Sequence, residues 1–168
     1  DVLSRPGAPD PTAWGLHGSV HRHCPHARCV MHVHSIHATV LASLKDSRLP
    51  PIDQNCATFY NRMVIDNEYG GLAFEEEGER CASMLTDPKV KVMVMGNHGI
   101  LVIGDTVADT FNRLYYFERA AETYIRAGNG PHQSTETISK DFCISSWNNG
   151  SLPSMRRRIQ KPIAVTNS

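Results

Sequence analysis

Residues 89–103, K-V-K-V-M-V-M-G-N-H-G-I-L-V-I, place two stretches of strand-forming residues on either side of a short turn. Valine and isoleucine favour extended backbone, and the glycines at positions 96 and 99 permit a tight turn. The pattern predicts one strand over 89–95 and a second over 100–103, and these two consecutive strands indicate a sheet at the centre of the fold.

A long helix is predicted directly after this pair of strands. Asp105 or Thr106 can cap it, and side chains then recur at the i, i+3 and i+4 spacing of a helix to about Ala127. We expect this helix to be largely buried. The residues that share this spacing are Val107, Phe111, Leu114, Tyr115, Glu118 and Ala121.

Helical and strand patterns alternate along the rest of the chain, which is typical of the α/β or α+β class. Helices are predicted over 12–24, from Ile36 to the break at Leu49-Pro50-Pro51, and over 75–85. Further strands are predicted over 28–34 and 62–65, the second within the mixed segment 52–71.

Length and charge exclude several classes of protein. The 168 residues fit one domain, and equal totals of 17 basic and 17 acidic residues give no electrostatic argument for binding nucleic acid. No stretch approaches the ~20 apolar residues that span a membrane, so we expect a cytoplasmic protein. Residues 128–168 are rich in turn formers and lack periodicity, and we expect a loosely packed or disordered tail there.

Five cysteines form no C-x-x-C pair, so neither a disulfide framework nor a four-cysteine zinc site is indicated. Histidines offer the alternative, because residues 31–37 are M-H-V-H-S-I-H. On a strand, the side chains of His32 and His34 point to the same face. Their Cα atoms would lie roughly 6.5 Å apart, which is close enough for both imidazoles to bind one ion. A solvated strand face is an equally good explanation of this pair alone.

His98 is the third candidate ligand, because it lies in the turn between the two strands, flanked by Gly96 and Gly99. An ordinary turn residue is the alternative. Three converging neutral imidazoles would bind Zn²⁺ or a similar divalent metal and leave one position open. A substrate carbonyl there would be polarised, and the negative charge next to it would become a stabilised enediolate.

The motifs that carry these residues, A-W-G-L-H-G-S-V-H-R-H, M-H-V-H-S-I-H, L-P-P-I, G-N-H-G and G-D-T-V, occur in the order found in the class II aldolase and adducin N-terminal domain family. The chain resembles that family from about Pro9 to Ala127. The resemblance implies a three-layer α/β/α sandwich around a mostly antiparallel sheet, with residues 1–127 forming the domain. It also implies zinc bound by His32, His34 and His98, a small hydroxy-carbonyl or sugar-phosphate substrate, and a homo-oligomer, commonly a tetramer.

Two departures from the family pattern bear on activity. The position of the acid/base glutamate of family aldolases is occupied by Ala13, and His37, Asp53 and Glu75 are the substitutes considered, with His37 as the candidate catalytic residue. The family's glycine- and asparagine-containing phosphate loop would precede residue 1, so we expect the domain to be truncated at its N-terminus.

Three functions remain open from the sequence. The first is a zinc-dependent aldolase-like lyase, which the complete set of three histidines favours. The second is a non-enzymatic, adducin-like module in assembly of the actin membrane skeleton, which Ala13 favours. The third is a domain that binds metal without turnover, which is compatible with both features.

Overall fold

The computed structural model describes residues 2–70 and 75–128, and within them it contains five α-helices, four strands and a short 3₁₀ helix at Val2–Ser4. The helices are α1 (Pro11–His23), α2 (Ile36–Ala42), α3 (Gln54–Thr58), α4 (Glu75–Met84) and α5 (Val107–Ala127). The strands are β1 (Cys29–Val33), β2 (Met63–Asp66), β3 (Val92–Met95) and β4 (Gly99–Gly104).

The four strands form one sheet in the order β1-β4-β3-β2. The β3–β4 pair is antiparallel, with Met95 opposite Gly99, as the turn between the two strands predicts. β1 pairs with β4 in antiparallel orientation, and β2 pairs with β3 in parallel orientation. The sheet is therefore mostly antiparallel, which confirms the expectation from the family resemblance.

Helices cover both faces of the sheet, so every residue of β3 and β4 is buried. Met93 and Met95 pack with α1 and α4 on one face, whereas Val92 and Val94 pack with α2, α3 and α5 on the other. Alternate residues of a strand point to opposite faces, so one apolar strand supplies both cores. The predicted three-layer α/β/α arrangement is confirmed.

The two helices of the first layer approach each other closely at two glycines. A Cβ atom added to Gly78 of α4 would lie 2.5 Å from the carbonyl oxygen of Gly15 in α1 and 2.8 Å from the Ser19 hydroxyl. Real Cβ atoms do not make backbone contacts this short. The missing side chain at position 78 therefore fixes how close α1 lies to α4.

Side-chain capping accounts for the start of two helices, one that the sequence predicted and one that it did not. The Asp10 carboxylate accepts a hydrogen bond from the Thr12 amide at 2.8 Å, and α1 begins at Pro11, close to its predicted start. Asp53 caps α3 in the same way at 2.8 Å to the Cys56 amide, and this helix was missed. The helix predicted to run to Leu49 ends at Ala42 instead.

The face of α5 that the sequence pattern picked out is only partly buried, which corrects the prediction for that stripe. Val107 is 67% exposed, Phe111 59% and Tyr115 52%. The helix buries a neighbouring face, with Phe117 in edge-to-face contact with Phe59 at 5.0 Å between ring centroids. The fully or nearly buried residues of α5 are Thr110, Arg113, Phe117, Ala120 and Ala121.

Some predictions lie outside the described residues or concern the chain as a whole. The predicted tail, residues 128–168, is outside them except for Gly128. No helix in the part of the chain that the structure describes is long and apolar enough to cross a membrane. Among the described residues, Cys24, Cys56 and Cys81 are buried free thiols and Cys29 is a partly buried one.

Candidate metal centre

Three imidazole rings converge where β1 ends and β4 begins. The Nε2 atoms of His32, His34 and His98 lie 3.1 Å from one another in all three pairs. His32 belongs to β1, His34 follows that strand immediately, and His98 belongs to the turn before β4. The antiparallel pairing of β1 with β4 places the end of the first strand beside the start of the second, and so joins residues 66 positions apart.

One hydrogen bond fixes which nitrogen of the His32 ring carries the proton. His32 Nδ1 lies 3.0 Å from the Ile100 carbonyl oxygen, and a carbonyl can only accept, so Nδ1 carries the proton. The Nε2 atom of His32 then presents a lone pair to the other two rings. A backbone carbonyl that orients a ring in this way is a common feature of histidine metal ligands.

The donor set fits a divalent ion of the zinc type. At a Zn–N bond length of about 2.0–2.1 Å, the nitrogens of a tetrahedral site lie about 3.3 Å apart, close to the separation found here. Three imidazole nitrogens at this spacing with their lone pairs converging repel each other unless a proton or a cation lies between them. The arrangement therefore has the chemistry and the size of a three-histidine metal site.

Burial favours the neutral form of two of the three rings, those of His32 and His98. It lowers the pKa of His32 to about 4, against the hydrogen bond to Ile100 and together with the positive charge that His98 and His34 would carry. Burial also lowers the pKa of His98, and His34 adds to that effect. Neutral imidazole is the form that binds a metal, so the lowered pKa values of His32 and His98 favour their action as ligands.

Gly99 makes the close packing of these rings possible. A Cβ atom at position 99 would lie 2.5 Å from the Val33 carbonyl oxygen and 2.7 Å from Cδ2 of His34. The sequence suggested Gly99 as a residue that permits a turn, whereas its backbone is extended and lies within β4. Its structural role is to leave room for the ring of His34.

The histidines open into a cavity of about 490 Å³ between the sheet and α1. A cavity of this size suits a small molecule. The described residues that line it are Thr12, Ala13, Leu16, His17, His32, Val33, His34, Tyr69 and His98.

The first half of α1 forms one wall of the cavity, and it includes the position that the family resemblance assigns to a glutamate. Ala13 is there, and His17, one helical turn later, faces the same space. Burial lowers the pKa of His17, and His21 adds to this shift. Sequence analysis missed His17 as a site residue, although the spacing of four from Ala13 is a signal that could have identified it.

Tyr69 is a second residue that sequence analysis missed. Its ring lies 4.6 Å from that of His98, and burial raises the pKa of its hydroxyl to about 12, with a further contribution from Glu77. The turn that carries it is held by Asp66, which accepts a hydrogen bond from the Glu68 amide at 3.0 Å and binds Arg80 at 2.6 Å. The turn formers around Tyr69 gave no indication of its neighbours.

His37 lies in the first turn of α2 and is not among the described residues that line the cavity. Its Nδ1 atom lies 2.9 Å from a carboxylate oxygen of Glu118 in α5. The other two candidates have different surroundings: Asp53 caps α3, and Glu75 is exposed in the first turn of α4, 3.6 Å from Arg22. The structure therefore brings the three predicted ligands together and places none of the three proposed substitutes for the glutamate in the cavity lining.

Glu118 has a role that no local pattern revealed, because it caps α2 from another helix. Its carboxylate accepts hydrogen bonds from the Ser35 hydroxyl at 2.6 Å, the His37 amide at 2.9 Å and the Ala38 amide at 3.0 Å. Ser35 makes no capping bond of its own. Burial raises the pKa of Glu118, but these hydrogen bonds outweigh burial and the net shift is downwards.

Replacing Glu118 by glutamine is expected to lower the free energy of unfolding by about 1–2 kcal/mol at pH 7, because bonds to a charged acceptor are lost. A carboxylate with a lowered pKa in the folded state stabilises the protein above its unfolded pKa, and this stabilisation disappears as the pH falls through the folded pKa. Urea unfolding at pH 7 and at lower pH should show the difference from wild type shrinking below about pH 4.5.

The control for this variant is Glu122→Gln, which removes a carboxylate from the same helix. Glu122 pairs with Arg119 and Arg126, which are both largely exposed, so the expected loss is below about 1 kcal/mol. A difference between Glu118→Gln and wild type that stays constant as the pH falls would show that the carboxylate does not cap α2 as described.

Comparison with known proteins supplies the context for this geometry. Residues 1–125 match the family model described as Class II Aldolase and Adducin N-terminal domain. Mouse gamma-adducin is 28% identical over 121 residues, which is 72% of this chain and 17% of that protein. A Streptomyces roseochromogenus protein named 4-hydroxy-3-prenylphenylpyruvate oxygenase/4-hydroxy-3-prenylbenzoate synthase is 27% identical over 96 residues, 56% of this chain and 34% of that protein.

A solved structure has the same fold. The aldolase II superfamily protein from Pseudomonas syringae superposes with a TM-score of 0.68 at 26% identity, and the match covers 80% of this chain and 56% of that one. The chain thus spans about a sixth of the length of the adducin and just over half of the bacterial protein.

Proposed function

Because this chain belongs to the class II aldolase and adducin N-terminal domain family, we propose that it is a metal-dependent, aldolase-like lyase that acts on a small hydroxy-carbonyl compound. The observation that carries the proposal is the convergence of three histidine Nε2 atoms at 3.1 Å from one another on the wall of a cavity. A protein that only assembles with others has no need of such a set.

His32, His34 and His98 are the residues that would hold the metal. Zinc is our first choice, because zinc commonly takes imidazole ligands with one position left open. Once bound, an ion of this kind polarises a carbonyl oxygen and stabilises the negative charge that develops on it. The chain's own contribution is to hold the three rings close together with their Nε2 atoms converging.

Other side chains would position the substrate. The Tyr69 hydroxyl stays protonated at neutral pH and can donate a hydrogen bond to a substrate oxygen. The ring of His17 makes no hydrogen bond to the described residues, and its ring neighbour is His21, so its nitrogens are available to a ligand. Leu16 and Val33 contribute apolar surface that limits access of water. No glutamate is present at position 13 to move a proton. A role for His37 in proton transfer stays a prediction: its ring is bound to Glu118, and it is not among the described residues that line the cavity.

The relatives support an enzyme as well as a module. The Streptomyces roseochromogenus protein is named as an oxygenase and synthase, and the bacterial structure as an aldolase II superfamily protein. Activity, substrate and partners of the whole protein are part of the proposal, since the chain covers only a fraction of its relatives. A tetramer and a cytoplasmic location stay predictions.

An adducin-like module of the actin membrane skeleton is the second candidate. The similarity to gamma-adducin and the alanine at position 13 favour it. The two functions differ in their need for metal, because a module of this kind does not require the three nitrogens to bind an ion.

The metal content of the purified protein tests the proposal. We expect one zinc ion per chain by elemental analysis after dialysis against buffer with trace zinc, and cleavage of hydroxy-carbonyl compounds that stops when a chelator removes the ion. A folded protein that takes up no zinc, or any other divalent metal offered, would contradict the lyase and leave the adducin-like module as the explanation.

A further inference from the structure

We infer that the cavity selects a small ligand with a carboxylate next to its hydroxyl or carbonyl group, in preference to a neutral hydroxy-carbonyl compound. The inference rests on the proposed function, because it assumes a divalent ion at the three histidines. It goes further by assigning a charge to the substrate.

With a divalent ion bound, the site carries a positive charge. Three neutral imidazoles leave both positive charges of a divalent ion without compensation. Among the described residues, the nine that line the cavity include no aspartate or glutamate. Ala13 contributes only a methyl group at the position where family aldolases have a carboxylate.

Two carboxylates, those of Glu77 and Asp10, lie near the lining residues. Glu77 accepts a hydrogen bond from the Gly70 amide and lies 3.6 Å from Arg80. Asp10 caps α1 through the amide and the hydroxyl of Thr12. Both carboxylates already have partners, and neither lines the cavity. Glu77 acts on His98 electrostatically, but only from outside the cavity lining. Among the described residues, no carboxylate joins the three histidines as a ligand, so a negatively charged group that binds the ion directly would come from the substrate.

The ion and a substrate carboxylate would meet beside an apolar part of the cavity wall. Leu16 is 1% exposed and Val33 is partly buried, so part of the cavity wall is apolar and opposite charges attract more strongly there than in bulk water. A carboxylate beside a hydroxyl or carbonyl group also offers two oxygens to one ion. The Tyr69 hydroxyl remains available as a donor to a third oxygen.

Glycolate and glycolamide form a pair of probes that differ in charge but little in shape. Calorimetry on the zinc-loaded wild-type chain should show glycolate binding about tenfold more tightly than glycolamide, or better. Ala13→Glu returns a carboxylate to the cavity wall and should reduce this preference at least about tenfold. Ala13→Gln has nearly the same size without the charge and should retain it.

Ala127→Glu is the matched control, because it adds the same charge at an exposed position at the end of α5. It should leave the preference unchanged. Circular dichroism and zinc content establish that each variant is folded and loaded before it is titrated.

Two outcomes separate this inference from the proposed function. If zinc binds with the expected stoichiometry but glycolate and glycolamide bind equally, or glycolate does not bind, the inference is wrong and the metal site stands. If the wild-type chain takes up no zinc, both are overturned. An unchanged preference in Ala13→Glu would show that the charge at position 13 does not control selection.

Discussion

The variant His98→Ala is expected to bind zinc more than about 100-fold more weakly than wild type and to keep its fold. Loss of a residue that only hydrogen-bonds to a ligand costs about 10- to 100-fold in affinity, so loss of a ligand should cost more. His98 follows Asn97, an exposed residue with a positive φ, in the turn before β4. Its ring is in contact with the rings of Tyr69, His32 and His34. Competition with a coloured chelator measures the affinity.

His23→Ala is the control for this measurement. His23 is also a partly exposed histidine, but it lies at the end of α1 and pairs with Glu79, away from the cavity lining. Its replacement should leave zinc affinity within about twofold of wild type. Equal affinities for wild type and His98→Ala would show that residue 98 is not a ligand.

Gly99→Ala is the second variant for which we expect a large effect, and it should damage stability and metal binding together. The added methyl group would overlap the Val33 carbonyl, which cannot move without disturbing the pairing of β1 with β4, and the ring of His34. Overpacking of this kind costs about 1–3 kcal/mol, and His34 must leave its position. Denaturant unfolding without metal and chelator competition with zinc measure the two effects separately.

Gly18→Ala provides the opposite expectation from the same chemical change. Gly18 lies in α1, and a Cβ atom there has no neighbour within 4 Å. Alanine favours helix over glycine by up to about 1 kcal/mol, so this variant should be slightly more stable than wild type and bind zinc equally. If Gly99→Ala behaves like Gly18→Ala, the close contact at position 99 is not a constraint.

The sequence was most informative where a short period decides the structure. The alternation around His32 and His34 sets both rings on one face of β1, and the turn at 96–99 predicts the β3–β4 pair. The layer arrangement and the antiparallel sheet came from the family motifs rather than from periodicity. The convergence of His98 with the other two histidines depends on β1 pairing with β4, which no local pattern specifies.

Contacts between distant elements account for what was missed. The helical spacing in α5 allows two adjacent apolar faces, and only packing against Phe59 and the sheet selects the face that carries Phe117. Glu118 caps α2 across 80 residues. Ala13 was recognised by its position in a motif, whereas His17 needed the direction in which α1 faces the cavity.

The contact between Gly15 and Gly78 has a consequence for attempts to engineer ligand choice. Helix α1 carries Ala13 and His17, which line the cavity. The absence of a side chain at position 78 sets how closely α1 packs against α4. A larger residue there would displace α1, and with it one wall of the cavity, without altering any side chain that lines the cavity. Mutant libraries should therefore sample α4 as well as the lining, because selectivity can be adjusted from the far side of the helix.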